Sequence, residues 1–92
     1  MLERDIEKKL VAWAKQNDVY TRKFSSPAHR GVPDRIFIAN GQTLFLELKK
    51  EGAKPTKLQL REIAKINQAG GEADWAAGYE ESILKIKQYL LI

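Results

Sequence analysis

The chain has no cysteine, which excludes disulfide stapling and thiolate zinc sites and leads us to expect an intracellular protein. No apolar run approaches the roughly 20 residues needed to cross a bilayer, so no membrane partner is expected. The opening MLERDIEKKL is charged throughout and lacks the apolar core of a secretion signal. A soluble, cytoplasmic location is the expectation. Repeats, low-complexity tracts and linkers are also missing, so residues 1–92 are expected to form a single domain.

The composition is 43% hydrophobic and 30% charged, a globular rather than a disordered balance. The net charge of +4 and pI near 9.4 pull toward a polyanion such as nucleic acid. Residues 2–16 read as a helix, with Leu2, Ile6, Leu10, Trp13 and Ala14 at helical spacing. VYTRKF (19–24) reads as a strand and SSPAHRGVP (25–33) as a loop. Two β-rich runs then flank Asn40-Gly41, the strongest short-range hairpin signal. Thr56 with Gln59 three residues on is a capping-box pattern that starts a second helix, ending near Gly70-Gly71. A short strand over 72–79 and a helix over 80–91, with Ile83, Ile86 and Leu90 on one face, complete the chain. The order α-β-β-β-α-β-α predicts an α/β fold, a mixed sheet flanked by helices.

The hairpin raises a chemical question. With Asn40 and Gly41 as central turn residues, Ile38 faces Thr43, Ile36 faces Phe45, and Asp34 faces Glu47. Opposed side chains share a face with Cβ atoms about 4.5–5.5 Å apart. Phe45, Glu47 and Lys49 also share a face by alternation. Asp34, Glu47 and Lys49 therefore converge at one end of an otherwise apolar surface. Two opposed carboxylates repel, the more so when buried. A retained proton, neutralisation by Lys49, or a divalent cation between them would each resolve the conflict. Two carboxylates suit a hard cation such as Mg²⁺ or Mn²⁺. The plain structural reading is a surface ion cluster.

Pro33-Asp34, a gap of 12 residues, and then Glu47-Leu48-Lys49 resembles the PD-(D/E)xK nuclease core. More narrowly, KFSSPAHRGVPDRIFI, LFLELKKEGAKPTKLQL and the leading LERDIEKKL resemble the VRR-NUC (virus-type replication-repair nuclease) domain, from the first residues to about Gly71 and more loosely beyond. The resemblance implies a restriction-endonuclease-like core and a metal-dependent nuclease. It implies that Asp34 and Glu47 bind Mg²⁺ or Mn²⁺, with the Leu48 carbonyl as a further ligand, that Lys49 is catalytic, and that Gln59 belongs to the site. Gln59 has a structural alternative in the capping box. The family pattern also includes an acid on the first helix. Glu3 and Glu7 both lie beside the Ile6/Leu10 stripe; Glu3 fits the E-x-x-I-x-x-x-L spacing and is the residue expected.

Lys23, Ser25, Ser26, His29 and Arg30 lie on the strand end and loop leading into Asp34, and such side chains are the usual donors to phosphates. Arg4, Lys8, Lys15, Lys54 and Lys57 are further basic candidates, while Trp13 and Trp75 read as core or interface aromatics. Small stand-alone nucleases of this kind resemble Holliday-junction resolvases. That resemblance implies a homodimer whose two-fold axis matches a four-way DNA junction. Flap or general DNA cleavage, and non-catalytic nucleic-acid binding, are the alternatives.

Overall fold

The computed structural model describes residues 1–92. Seven elements follow one another: α1 (Glu3–Gln16), β1 (Tyr20–Lys23), β2 (Arg35–Ala39), β3 (Gln42–Lys49), α2 (Lys57–Gln68), β4 (Ala73–Ala77) and α3 (Tyr79–Leu90). The sheet order is β1-β2-β3-β4, antiparallel except for the parallel β3–β4 pair. This is the expected α/β order with a mixed sheet. No helix is long and apolar enough to cross a membrane.

The turn residues set the hairpin phase. Asn40 and Gly41 both have positive φ, 53° and 71°, as a type I′ turn requires. Ladder pairs run from Ala39↔Gln42 through Ile38↔Thr43 and Ile36↔Phe45 to Arg35↔Leu46, the register expected from the turn. The Asn40 amide also donates to the carbonyls of Leu90 and Leu91, each at 3.1 Å. Those bonds satisfy carbonyls that the end of α3 leaves without helical partners.

Strand alternation divides the sheet into two faces. Leu44, Leu46 and Leu48 join Phe37 and Ala76 in a buried cluster with Ile6, Leu10 and Ala14 of α1 and Ile86 and Leu90 of α3. The buried stripe of α3 also contains Ser82, a polar residue that the apolar pattern passed over. Its hydroxyl donates to the Gly78 carbonyl at 2.7 Å, so the helix itself removes the cost of burying it. Ile83 packs against the cluster without being fully buried. The opposite face carries Phe45, Glu47 and Lys49, with Ala73, Trp75 and Ala77 beside them on β4. Helix α2 belongs to that side: Asn67 exchanges two hydrogen bonds with Ala73 (3.1 and 2.8 Å), and buried Ile63 lies outside the main cluster.

Candidate active site

The site forms where the β2–β3 ladder stops. Continuing the register past Arg35↔Leu46 puts Pro33 opposite Leu48, and proline has no N–H to offer. The Leu48 N–H donates instead to Asp34 Oδ2 at 2.8 Å. The Asp34 main chain stays paired with β1 through the Phe24 N–H, at 2.9 Å. Backbone groups of successive residues point to opposite edges of a strand, and Lys49 faces β4, where its carbonyl accepts from Gly78 N–H at 2.8 Å. The Leu48 carbonyl therefore faces β2 at the proline, where the ladder supplies it no donor.

Upstream, Gly31 has φ +84°, and a Cβ there would lie 2.9 Å from Leu58 Cγ and 3.1 Å from the Leu58 carbonyl carbon. Only glycine lets the 25–33 loop pass this close to the first turn of α2. That close approach delivers buried Pro33 and then Asp34 to the end of the sheet.

Glu47 is 3% exposed. Its Oε2 lies 3.4 Å from Lys49 Nζ, while Oε1 is buried with no hydrogen-bond partner. Burial, reinforced by the Asp34 charge and opposed by Lys49, pushes the Glu47 carboxyl up to about 7. Burial likewise raises Asp34, against the Leu48 N–H that favours its ionised form. The two carboxyls influence each other's ionisation. With both ionised, neither can donate, and Glu47 Oε1 is left without a donor.

The structure places the remaining candidates unequally. Glu3 lies exposed in the first turn of α1. Glu7, one turn on, is the helix carboxylate whose charge reaches Asp34 and raises its proton affinity. Glu7 Oε2 accepts from Arg35 at 2.8 Å and lies 4.0 Å from Lys23 Nζ. Gln59 completes its capping box: its Oε1 accepts from Thr56 N–H (2.9 Å) and its N–H donates to Thr56 Oγ1 (3.1 Å). Lys23 is 79% exposed at its side chain, Ser25, His29 and Arg30 are exposed, and Ser26 Oγ lies 3.2 Å from His29 Nδ1. Sequence reasoning did not single out Arg35. The signal was there, because alternation sets it beside Phe37 on the core face, where a guanidinium requires a partner.

These donors fit a hard divalent cation. Asp34 and Glu47 are oxygen ligands, one oxygen of Glu47 has no donor, and the Leu48 carbonyl lies at the same strand end. No group of three carboxylates or histidines forms an all-side-chain cage. A cation here would use two carboxylates, a carbonyl and waters, the coordination that Mg²⁺ favours.

No family model matches the chain. A relative named "Putative nuclease p44", from Acyrthosiphon pisum secondary endosymbiont phage 1, is 45% identical over 69 residues, covering 74% of each chain. A solved "VRR_NUC domain" superposes with a TM-score of 0.82 at 25% identity, over 95% of this chain and 96% of the other. A second, a "VRR_NUC domain protein", gives 0.84 at 25% identity, over 99% of this chain and 89% of its own. Sequence kinship to a phage nuclease and full-length structural likeness thus converge on the family suggested by the motif, and the chain belongs to the VRR-NUC nucleases.

Proposed function

We propose that this protein is a Mg²⁺- or Mn²⁺-dependent DNA endonuclease that cuts branched DNA, with the four-way junction as its preferred substrate and a two-fold homodimer as its working form. Residues 1–92 act as one nuclease domain. The observation that carries the metal assignment is the buried Glu47 Oε1 without a donor beside a second carboxylate. Stability alone disfavours such an arrangement, and a cation relieves it.

In this mechanism Asp34, fixed by the Leu48 N–H, and Glu47 hold the cation together with the Leu48 carbonyl. When bound, the cation polarises a phosphate oxygen and stabilises charge developing on the phosphate. Lys49, drawn along the same strand face and paired with Glu47, orients the attacking water or neutralises the transition-state charge. Glu7, rather than Glu3, is the α1 acid of the site, because Arg35, the residue after Asp34, holds it while Glu3 lies exposed. Lys23, Ser25, Ser26, His29 and Arg30 line the approach and donate to phosphates, which the net charge of +4 supports. Gln59 holds the start of α2.

Cleavage of a labelled four-way junction, a flap and a linear duplex, with Mg²⁺ or EDTA, tests this function. Symmetrical metal-dependent nicks on the junction, lost in Asp34→Asn, are expected, with a dimer in sedimentation. Metal-dependent cutting confined to flaps would retain the site and overturn the junction assignment. DNA binding with no cutting under Mg²⁺ or Mn²⁺ would make the protein a binding module instead.

A further inference from the structure

Arg35 and Glu47 are the two buried charged residues of the molecule. They occupy neighbouring strands but opposite faces of the sheet. Glu47 faces the site, whereas Arg35, adjacent to Asp34 in sequence, points the other way, toward α1. A buried guanidinium is costly unless its donors are used. Arg35 Nε donates to Thr21 Oγ1 at 3.1 Å, and one terminal nitrogen donates to Glu7 Oε2 at 2.8 Å. Thr21 is itself buried, so the guanidinium is braced from β1 while it grips α1. The only other cation near Glu7, Lys23, lies 4.0 Å from the same oxygen. Both ion pairs use Oε2, so neither engages Glu7 Oε1.

We propose that Arg35 is a positioning residue of the nuclease site: braced by Thr21, it holds Glu7 by one carboxylate oxygen and leaves the other free to organise water at the sheet end where Asp34, the residue before Arg35, lies. This role rests on the nuclease function proposed above. A glutamate on a helix has three rotatable bonds, and Glu7 is 22% exposed at its side chain. Unheld, it would swing toward solvent, away from the negative charge of Asp34 and Glu47. The guanidinium fixes the side chain and offsets its charge in one contact. A planar fork satisfies two acceptors at a set angle, which a lysine ammonium on a flexible stem does not. Arg35 therefore acts across the sheet without touching DNA or the reacting phosphate.

The test compares the whole chain with Glu7→Gln, Arg35→Lys, Arg35→Met, Thr21→Val and the Glu7→Gln/Arg35→Lys double variant. Calorimetric titration with Mn²⁺ alone, thermal melting, and cleavage of the substrate cut by the wild type are measured for each. Residues that orient metal-site groups typically contribute about 10–100-fold in affinity or activity, and a loss in that range is expected for Glu7→Gln and Arg35→Lys. The double variant should bind Mn²⁺ no more weakly than Glu7→Gln alone, because Arg35 acts through Glu7. Thr21→Val should shift affinity in the same direction by less. If Arg35→Met does not fold, Arg35→Lys and Thr21→Val carry the comparison. An Arg35→Lys protein that melts earlier yet binds Mn²⁺ like the wild type overturns the proposal, as do additive losses in the double variant. Wild-type protein that takes up no Mn²⁺ overturns the nuclease site together with this role; wild-type uptake with unchanged variants overturns this role alone.

Discussion

At Glu47 one face of β3 is as deeply buried as the leucine face behind it, with opposite consequences. Toward α1 and α3, Leu44, Leu46 and Leu48 are 0–2% exposed, and each gains from leaving water. Toward the site, Glu47 is 3% exposed, and burial works against its charge, with one oxygen lacking any donor. One strand thus presents apolar side chains on one side and the candidate site on the other, a single residue apart. Burial by itself is not a measure of stabilisation; what is buried sets the sign.

Glu47→Gln should give the sharpest break between the faces. Cleavage and Mn²⁺ uptake are expected to fall to background, while the metal-free protein melts at the wild-type temperature or higher, since a neutral amide replaces a carboxylate in a dry place. A large drop in melting temperature would mean that Glu47 is a structural residue and that the two faces do the same work. Leu46→Ala should behave inversely. Removing a fully buried leucine costs about 2–5 kcal/mol, and each kcal/mol moves the melting point by about 4–8 °C in a domain of this size. The Asp34 face would remain intact in the fraction that is folded, so cleavage well below the new melting point should persist.

The pH dependence of metal-free stability separates the faces further. Leu44, Leu46 and Leu48 have nothing to titrate. Glu47, raised from the ordinary 4.5 to about 7, holds a proton in the folded chain that the unfolded chain has already released between these values. The folded state therefore binds more protons across that window, and its stability falls as pH rises through it. Urea unfolding with EDTA at a series of pH values should show this fall between about 4.5 and 7, flattened in Glu47→Gln. Mn²⁺ affinity should move the other way and strengthen with pH, because the ligands must be deprotonated. A wild-type profile identical to that of Glu47→Gln would show that the buried carboxyl is not strained.

Much of this contrast was legible from residues alone, and the reason is local. An Asn-Gly turn demands positive φ at both positions, so it sets the phase of the hairpin, and alternation carries that phase to Asp34, Glu47 and Lys49. The ladder from Ala39↔Gln42 to Arg35↔Leu46 is what the turn dictates. Helix α1 offered no such phase. Glu3 and Glu7 sit one turn apart beside the same apolar stripe, and spacing favoured Glu3. Glu7 is held by Arg35, 28 positions away in sequence, and no local pattern in the helix reports that contact. Ser82 escaped for a related reason: apolar periodicity cannot see that a serine's hydroxyl is satisfied by the carbonyl four residues earlier. The passage of Gly31 against Leu58 is likewise a tertiary contact between segments whose local sequences are silent about each other.

Gln59 marks the edge of the comparison, on the helix that belongs to the site's side of the sheet. Its carbonyl oxygen accepts the Thr56 N–H, so that oxygen has a structural task, while the nitrogen of the same amide is not needed by the capping box. Gln59→Ala removes one of the two capping-box bonds and should cost about 0.5–1.5 kcal/mol, the net worth of a typical hydrogen bond, less than Leu46→Ala. Gln59→Glu separates the two ends of the amide. A carboxylate oxygen keeps the bond to Thr56 and suits a helix N-terminus, so melting should return to the wild-type value. If capping is the whole role, cleavage should return with it. Cleavage that stays low in a fully stable Gln59→Glu protein would show that the amide nitrogen meets substrate, and would move Gln59 from the scaffold into the site.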